Sequence, residues 1–319
     1  MSALYLVFGV WCLVFIPLMR VLIIGCGYVG LPLGAELARR GHEVLGVRRT
    51  PDSVHELEQA GIKPLLADIT LRDDLEKIPG PFDWVVNTVS STKGGVEEYR
   101  AVYLEGTRHL IEWLLRQPPR KYVYTSSTSV YGQTDRSWVT EESLAEGASD
   151  TSRVLVETEQ LLLHAARREN FPAMILRVAG IYGPHRGHLF QQYLRDEARI
   201  SGNGSRLINM VHLDDIAHAI IAALERGKPG EIYNVADNEP VTQRDFFHWL
   251  SEELGKPIPP ASEGEATSRK RGDTNKRVSN RKLRLELLCE LKYPTFRQGY
   301  SAEIARLQAA GLLPAGTGE

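Results

Sequence analysis

Residues 21–30 read VLIIGCGYVG, an uncharged apolar run entering a Gly25-x-Gly27-x-x-Gly30 turn. That spacing suits chemistry on a dinucleotide. Gly25 permits the tight turn, Gly27 lets backbone approach a pyrophosphate, and Gly30 lets the next helix sit close to the sheet. The helix N-terminus then offers its unpaired N–H groups to phosphate. Tyr28 and Val29 belong to the same turn. The second apolar run, EVLGVRR (43–49), ends in Arg48 and Arg49 where an acid would hold the ribose hydroxyls. Two guanidiniums suit a 2′-phosphate instead, so the expectation is NADP, with NAD less favoured. The competing use of this pair is one Arg stacked on adenine and the other in water. Asp68 and Ile69 are candidates for the adenine edge. Thr88, Val89 and Ser90 are candidates for the cofactor wall.

Hydride transfer to a carbonyl builds charge on oxygen and needs an acid. No Tyr in the chain is followed four residues later by Lys, the pairing that would make a phenol usable near neutrality. Ser127 is the candidate to orient the substrate oxygen, and Tyr131 is the weaker candidate acid. Tyr182, His185 and Arg206 are candidate substrate contacts. His185 and His188 lack a third ligand at convincing spacing, so no metal is expected. His212, Asp214 and Asp215 read as a hydrogen-bonded network. Three cysteines, at 12, 26 and 289, are too few and too scattered for a disulfide framework, and Cys26 between the turn glycines reads as packing.

These residues need a frame. Apolar strands at 21–25, 43–49, near 65, 82–90, 120–128 and 172–184 alternate with helical stretches, among them 97–116 and 152–169. The alternation predicts an α/β fold, a doubly wound parallel sheet with right-handed crossovers. The divisions expected are an apolar extension over 1–18, a nucleotide-binding core over 19–184 and a mixed region over 185–319. That region mainly forms a small lobe above the carboxyl edge of the sheet, with some elements returning to the core. The stretch 259–281 carries RKR, KR and RK without apolar periodicity and reads as an exposed loop.

Five segments resemble the extended short-chain dehydrogenase/reductase superfamily, the NAD-dependent epimerase/dehydratase group: GCGYVG, YTSSTSVYG (124–132), LRVAGIYGP (176–184), VHLDDIAHAI (211–220) and YNVAD (233–237). NKRVSNRKL and YPTFRQGY are similar to its atypical branch, with the GxGYVG turn. The resemblance implies a Rossmann-type core, a C-terminal substrate lobe, and a Ser, Tyr and Lys for catalysis. Matched by position these fall on Ser127, Thr151 and Leu155, so the Tyr and Lys are missing. It also implies a sugar-nucleotide or other small polar substrate and, by family habit, a homodimer.

The chain has 319 residues, 43% of them hydrophobic, and a formal charge of −2, which argues against disorder and against a general nucleic-acid binder. Residues 2–18 carry no charge. They are read as an upstream extension, with a membrane anchor on the cytoplasmic face or a packed helix as alternatives. Two functions follow. One is a cytoplasmic NAD(P)-dependent oxidoreductase or epimerase/dehydratase-like enzyme with an atypical acid. The other is a cofactor-binding sensor or partner-binding protein with little catalysis.

Overall fold

The VLII run is buried on both faces because it lies third from one edge of a seven-stranded parallel sheet. The computed structural model describes residues 3–7, 10–14, 18–92, 94–262 and 274–314. The sheet strands are β1 (Arg20–Ile24), β2 (Glu43–Arg48), β3 (Lys63–Leu66), β4 (Trp84–Asn87), β5 (Lys121–Ser127), β6 (Ala173–Val178) and β7 (Ile232–Val235). Their order is β7-β6-β5-β4-β1-β2-β3, and every pairing is parallel. All strands therefore end at one edge. There the chain order reverses between β1 and β4, the crevice that α/β sheets offer to ligands.

Alternate side chains fill two layers. Val21, Ile23, Val86 and Val123 face α1 (Gly30–Arg39) and α6 (Leu213–Arg226). Leu22, Ile24, Val85, Tyr122 and Tyr124 face α3 (Gly106–Leu114) and α4 (Asp150–Arg168), whose Leu110 and Leu162 are fully buried. Between α1 and α3 in the chain lies α2 (Val54–Gln59). The expected 97–116 helix is split, with residues 100–105 in a wider π-type turn leading into α3. α4 starts on a capping box: Ser149 accepts from Ser152 N–H while the Ser152 hydroxyl accepts from Ser149 N–H.

After β6 the chain makes Gly180–Tyr182, which pairs in parallel with Met210–His212, then α5 (His188–Leu194). α5 stops at Leu194, and Asp196 turns the chain with φ 59°. α7 (Gln243–Leu254) and α8 (Phe296–Ala309) close an aromatic cluster of Tyr182, Phe190, Phe246, Phe247, Phe296 and Tyr300. This small lobe sits beside the carboxyl edge. The chain leaves it once, through α6 and β7, to complete the sheet.

Two readings change. Ala3–Val7 and Val10–Val14 form an antiparallel hairpin rather than a helix. Among the described residues no helix is long and apolar enough to cross a membrane. The basic stretch is only partly described, since 263–273 lie outside the described residues. Its end is no exposed loop, because Arg277–Val278 pairs with Trp138–Val139 and Lys276 is buried.

Candidate functional site

Gly25 adopts φ +81°, and a Cβ there would lie 2.7 Å from the Val89 backbone. Only glycine fits that approach. A Cβ on Gly30 would come within 3.0 Å of Gly25 O and Ile23, so α1 meets the sheet as closely as the motif demands. Thr88 Oγ1 donates to Gly25 O at 3.0 Å and fixes the turn to the end of β4. Gly27 differs: a Cβ there would make ordinary contacts with Arg48 Nη1 at 3.6 Å and Gly25 O at 3.9 Å, so its bareness leaves room rather than relieving a clash. A cleft of about 160 Å³ opens over this turn, walled by Gly27, Tyr28, Val29, Thr88, Val89 and Ser90. These features fit a dinucleotide: a bare turn, a helix N-terminus and a cleft beyond them.

Other expected contacts are placed differently. Arg48 Nη1 donates to Cys26 O at 2.9 Å, bracing the turn from beneath, and exposed Arg49 reaches Thr92 Oγ1 at 3.3 Å. Asp68 and Ile69 do not line the cleft. The Asp68 carboxylate accepts from both Thr70 N–H and Thr70 Oγ1, and Ile69 is buried against α3. Tyr28 does more than expected. Its hydroxyl donates to Pro184 O at 2.9 Å, and the Arg186 guanidinium lies 4.8 Å above its ring, so the glycine turn is tied to the loop after β6. Cys26 is buried against Gly46, and burial pushes its thiol up to about 12, as a packing residue should show.

A second, larger cavity of about 770 Å³ adjoins the first. Ser127 and Ala179, at the ends of β5 and β6, line both. Ser127 Oγ accepts from Ser129 N–H at 3.2 Å and remains half-buried at the junction. The matched positions also fall here: Leu155 lines the cofactor cleft, and Thr151 Oγ1 sits 3.1 Å from Ser149 Oγ at the start of α4. No phenol or amine replaces them at those two places.

Tyr131 does not join Ser127. Its ring is fully buried, and its hydroxyl donates to Asn234 Oδ1 and accepts from Arg177 Nη1, both at 2.8 Å. Arg177 in turn pairs with Glu159 at 2.7 Å, and Ser126 Oγ donates to Glu159 at 2.5 Å. Burial pushes the Tyr131 hydroxyl up to about 12, against the pull of Arg177. Tyr131 lines neither cavity, so the acid role expected of it is withdrawn. Tyr182 is buried too, stacked on Tyr300 at 4.2 Å, and His185 is exposed at φ 61° outside both cavities. Arg206 lines the larger cavity, and its Nε donates to Thr274 O at 3.0 Å. The network reading holds for His212 and its neighbours. His212 Nδ1 accepts from Asp214 N–H, and the Asp215 carboxylate accepts from Lys292 and Tyr293 N–H.

Arg186 lines the cleft, and four residues of the larger cavity escaped the sequence reading: Asn209, Gln243, Thr274 and Lys276. Lys276 is 4% exposed, and burial pushes its amine down to about 8. Val278 two residues after it, a lone apolar residue in a polar stretch, was the available signal that this segment returns to the core.

Known proteins carry the same design. The chain is 29% identical to protein YeeZ of Escherichia coli over 285 residues, 86% of this chain and 96% of that one. A functionally unknown conserved protein from Silicibacter pomeroyi superposes with a TM-score of 0.75 at 29% identity, covering 92% of this chain and 99% of that one. DesIV of Streptomyces venezuelae, a dTDP-glucose 4,6-dehydratase solved with NAD and TYD, superposes at 0.81 with 20% identity, covering 93% and 99%. DesIV and other solved structures of this fold hold NAD, which overturns the NADP expectation. The braced position of Arg48 agrees, since that guanidinium supports the turn. Residues 21–236, from β1 through β7, match one family throughout, and with its glycine turn, parallel sheet and junction Ser this chain belongs to the NAD dependent epimerase/dehydratase family.

Proposed function

We propose that this protein is an NAD-dependent enzyme of the oxidoreductase or epimerase/dehydratase kind, acting on a secondary alcohol or carbonyl of a nucleoside-diphosphate sugar. The observation that carries the reading is the junction: one half-buried serine, Ser127, walls both the cleft over the glycine turn and the larger cavity. A nicotinamide cofactor, when bound, supplies a carbon that accepts or returns hydride.

The chain's own residues have defined tasks in this reading. Gly27 and the α1 N-terminus hold the pyrophosphate. Thr88, Val89 and Ser90 border the cofactor, and Tyr28 with Arg186 restricts water over it. The Ser127 hydroxyl can donate to the reacting oxygen of the substrate. The larger cavity is lined by Arg199 and Arg206, with Asn209 and Gln243 able to bond hydroxyls. Cations with neutral amides suit an anionic diphosphate joined to a sugar. Leu155 in the cleft favours the second reading, a cofactor-binding protein with little turnover.

The test is direct. NADH binding is measured by fluorescence and calorimetry, and turnover is assayed with dTDP-glucose, UDP-glucose and UDP-glucuronic acid. Binding in the micromolar range, with product formed from at least one, is expected; Ser127→Ala should retain binding and lose about 10²-fold or more in rate. Binding without product from any of the three favours the second reading. Absence of NADH binding refutes both.

A further inference from the structure

With Thr151 and Leu155 in place of the usual acid and its cation, and with Tyr131 turned into the core, the site needs another group to exchange a proton with the substrate oxygen. From the geometry of the larger cavity we infer that this group is the Lys276 amine. The inference rests on the reading of the site as a hydride-transfer centre.

Three observations converge on Lys276. It is buried, yet its residue lines the larger cavity together with Ser127, Thr128 and Ser129. Its Nζ donates to Tyr131 O at 2.8 Å, so the amine is anchored to the short turn that begins at Ser127. Among the described residues its other hydrogen-bond partner is Thr274 Oγ1 at 3.0 Å. Among the described residues no carboxylate lies within ion-pair reach of it, and an ammonium has three protons to place. Among the described residues nothing else takes the third, which faces the cavity that Lys276 lines.

The neighbourhood is built to hold the amine still. Asn209 Nδ2 donates to Lys276 O at 2.9 Å, and Asn209 Oδ1 accepts from Val278 N–H at 2.7 Å. Asn275 Oδ1 accepts from Leu207 N–H at 3.0 Å. One strand of the lobe is thus stitched on both sides of Lys276. A lysine needed only for charge would sit at the surface, where its ammonium keeps its hydration. A buried lysine without a counterion has a lowered pKa and gains a neutral population near pH 8, the state a base requires.

The step balances. On oxidation of a secondary alcohol, the O–H bond breaks and its proton passes to the Nζ lone pair, giving ammonium. The carbon–hydrogen pair leaves as hydride to the nicotinamide cofactor, which is reduced, and the carbon becomes a carbonyl. In reduction the ammonium returns the proton to the oxygen. The Ser127 hydroxyl shares that oxygen from the other side.

The test uses the full chain with two variants and two independent readouts. In the first, acetic anhydride labels amines across pH 6–10 with and without NADH plus UDP-glucose, and mass spectrometry follows the peptide carrying Lys276. The expected result is a half-maximal pH near 8, below that of surface lysines, with labelling suppressed at least fivefold by the ligand pair. A half-maximal pH equal to that of surface lysines, or an amine that never labels, overturns the proposal. This arm does not depend on turnover, so a wild-type protein inert toward all three sugar nucleotides counts against the proposed function while labelling still decides the role of Lys276.

The second readout compares Lys276→Met and Lys276→Arg under single turnover with whichever substrate the wild type uses. Arg keeps the charge but its pKa lies too high for proton exchange. Both variants should bind NADH as the wild type does. Both should lose about 10²–10⁴-fold in the hydride step, and the wild-type rise of oxidation rate with pH around 8 should vanish. The other titratable groups of this cavity are His188, Glu197, Arg199 and Arg206; Tyr28, Tyr99, Tyr103 and Arg186 line the adjoining cleft with Ser127, and the Tyr131 hydroxyl faces Arg177, so a rise that survives in both variants belongs to a group other than Lys276 and overturns the proposal. A Lys276→Arg protein with raised KM and unchanged kcat, or with full activity, marks a charge anchor and overturns it as well.

Discussion

Tyr131→Phe separates a structural tyrosine from a catalytic one. The hydroxyl bridges Arg177 Nη1 and Asn234 Oδ1 at 2.8 Å each, at a fully buried position. Removing it leaves Asn234 Oδ1 without this donor and leaves Arg177 Nη1 only a long contact to Glu141 O at 3.4 Å. A bond to a charged donor contributes about 1.5–3 kcal/mol and an orphaned buried acceptor costs about 1–3 kcal/mol, so these overlapping terms predict a loss of about 2–3 kcal/mol. The Arg177–Glu159 pair survives, which keeps the loss below the larger cost of a lone buried charge. Urea titration of the wild type and variant in parallel, followed by tryptophan fluorescence, reads the difference as a shift of midpoint at constant slope. NADH affinity and turnover should stay within about threefold, against the 10²–10⁴-fold that loss of a general acid brings. A variant as stable as the wild type but about a hundredfold slower would refute this placement of Tyr131 and restore it as the acid.

Three further perturbations follow from the same geometry. Gly27→Ala should fold with wild-type stability, since its Cβ would meet nothing nearer than Arg48 Nη1 at 3.6 Å, yet bind NADH at least about tenfold more weakly in calorimetry because the methyl stands where the pyrophosphate comes closest; equal affinity would mean the cleft is not the cofactor site. Arg48→Ala removes the brace on Cys26 O and should weaken NADH and NADPH by the same factor, whereas a loss confined to NADPH would contradict the structural role given to Arg48. Asp237, 3% exposed and with Oδ2 lacking a hydrogen-bond partner, has its carboxyl raised well above the ordinary range by burial. A folded pKa above the unfolded value gives stability that is full below the unfolded pKa of about 3.9 and is lost as pH rises through the folded value. Asp237→Asn should therefore gain stability over the wild type as pH rises above about 3.9, and an offset that does not change with pH would refute the assignment.

How far the sequence carried these conclusions depended on whether a residue's role was set by its neighbours in the chain. Gly25 could be read because a tight turn between a buried strand and a helix constrains its own backbone, and the structure gives it φ +81°. The sheet could be read for the same reason: VLII, WVVN and AMILRV must be covered on both faces. Arg177 shows where this ends. It sits in the middle of that last apolar run, and only Glu159 on α4 and Tyr131 beyond β5 explain how a charge lies there 4% exposed. Lying in the sequence between Ser127 and the substrate-lobe motifs, Tyr131 looked available. The turn Thr128–Val130 instead delivers its ring to the core, where Asn234 claims the hydroxyl from 103 residues away. Lys276 was hidden in the opposite sense. Its local surroundings are basic and aperiodic, the pattern of a solvated loop, and its burial arises from Tyr131 O, 145 residues distant, and from the strand pairing of Val278 with Val139. The helical alternatives for the apolar N-terminus failed by a different route. Uncharged residues rich in Val, Phe, Tyr and Trp satisfy a membrane-helix composition and a strand composition equally, and the pairing of Ala3–Val7 with Val10–Val14 follows the strand preference of those types. A motif thus fixes a site where the backbone itself is the functional element. Where a side chain does the chemistry, as Lys276 is inferred to do, its state is set by partners that only the fold brings near.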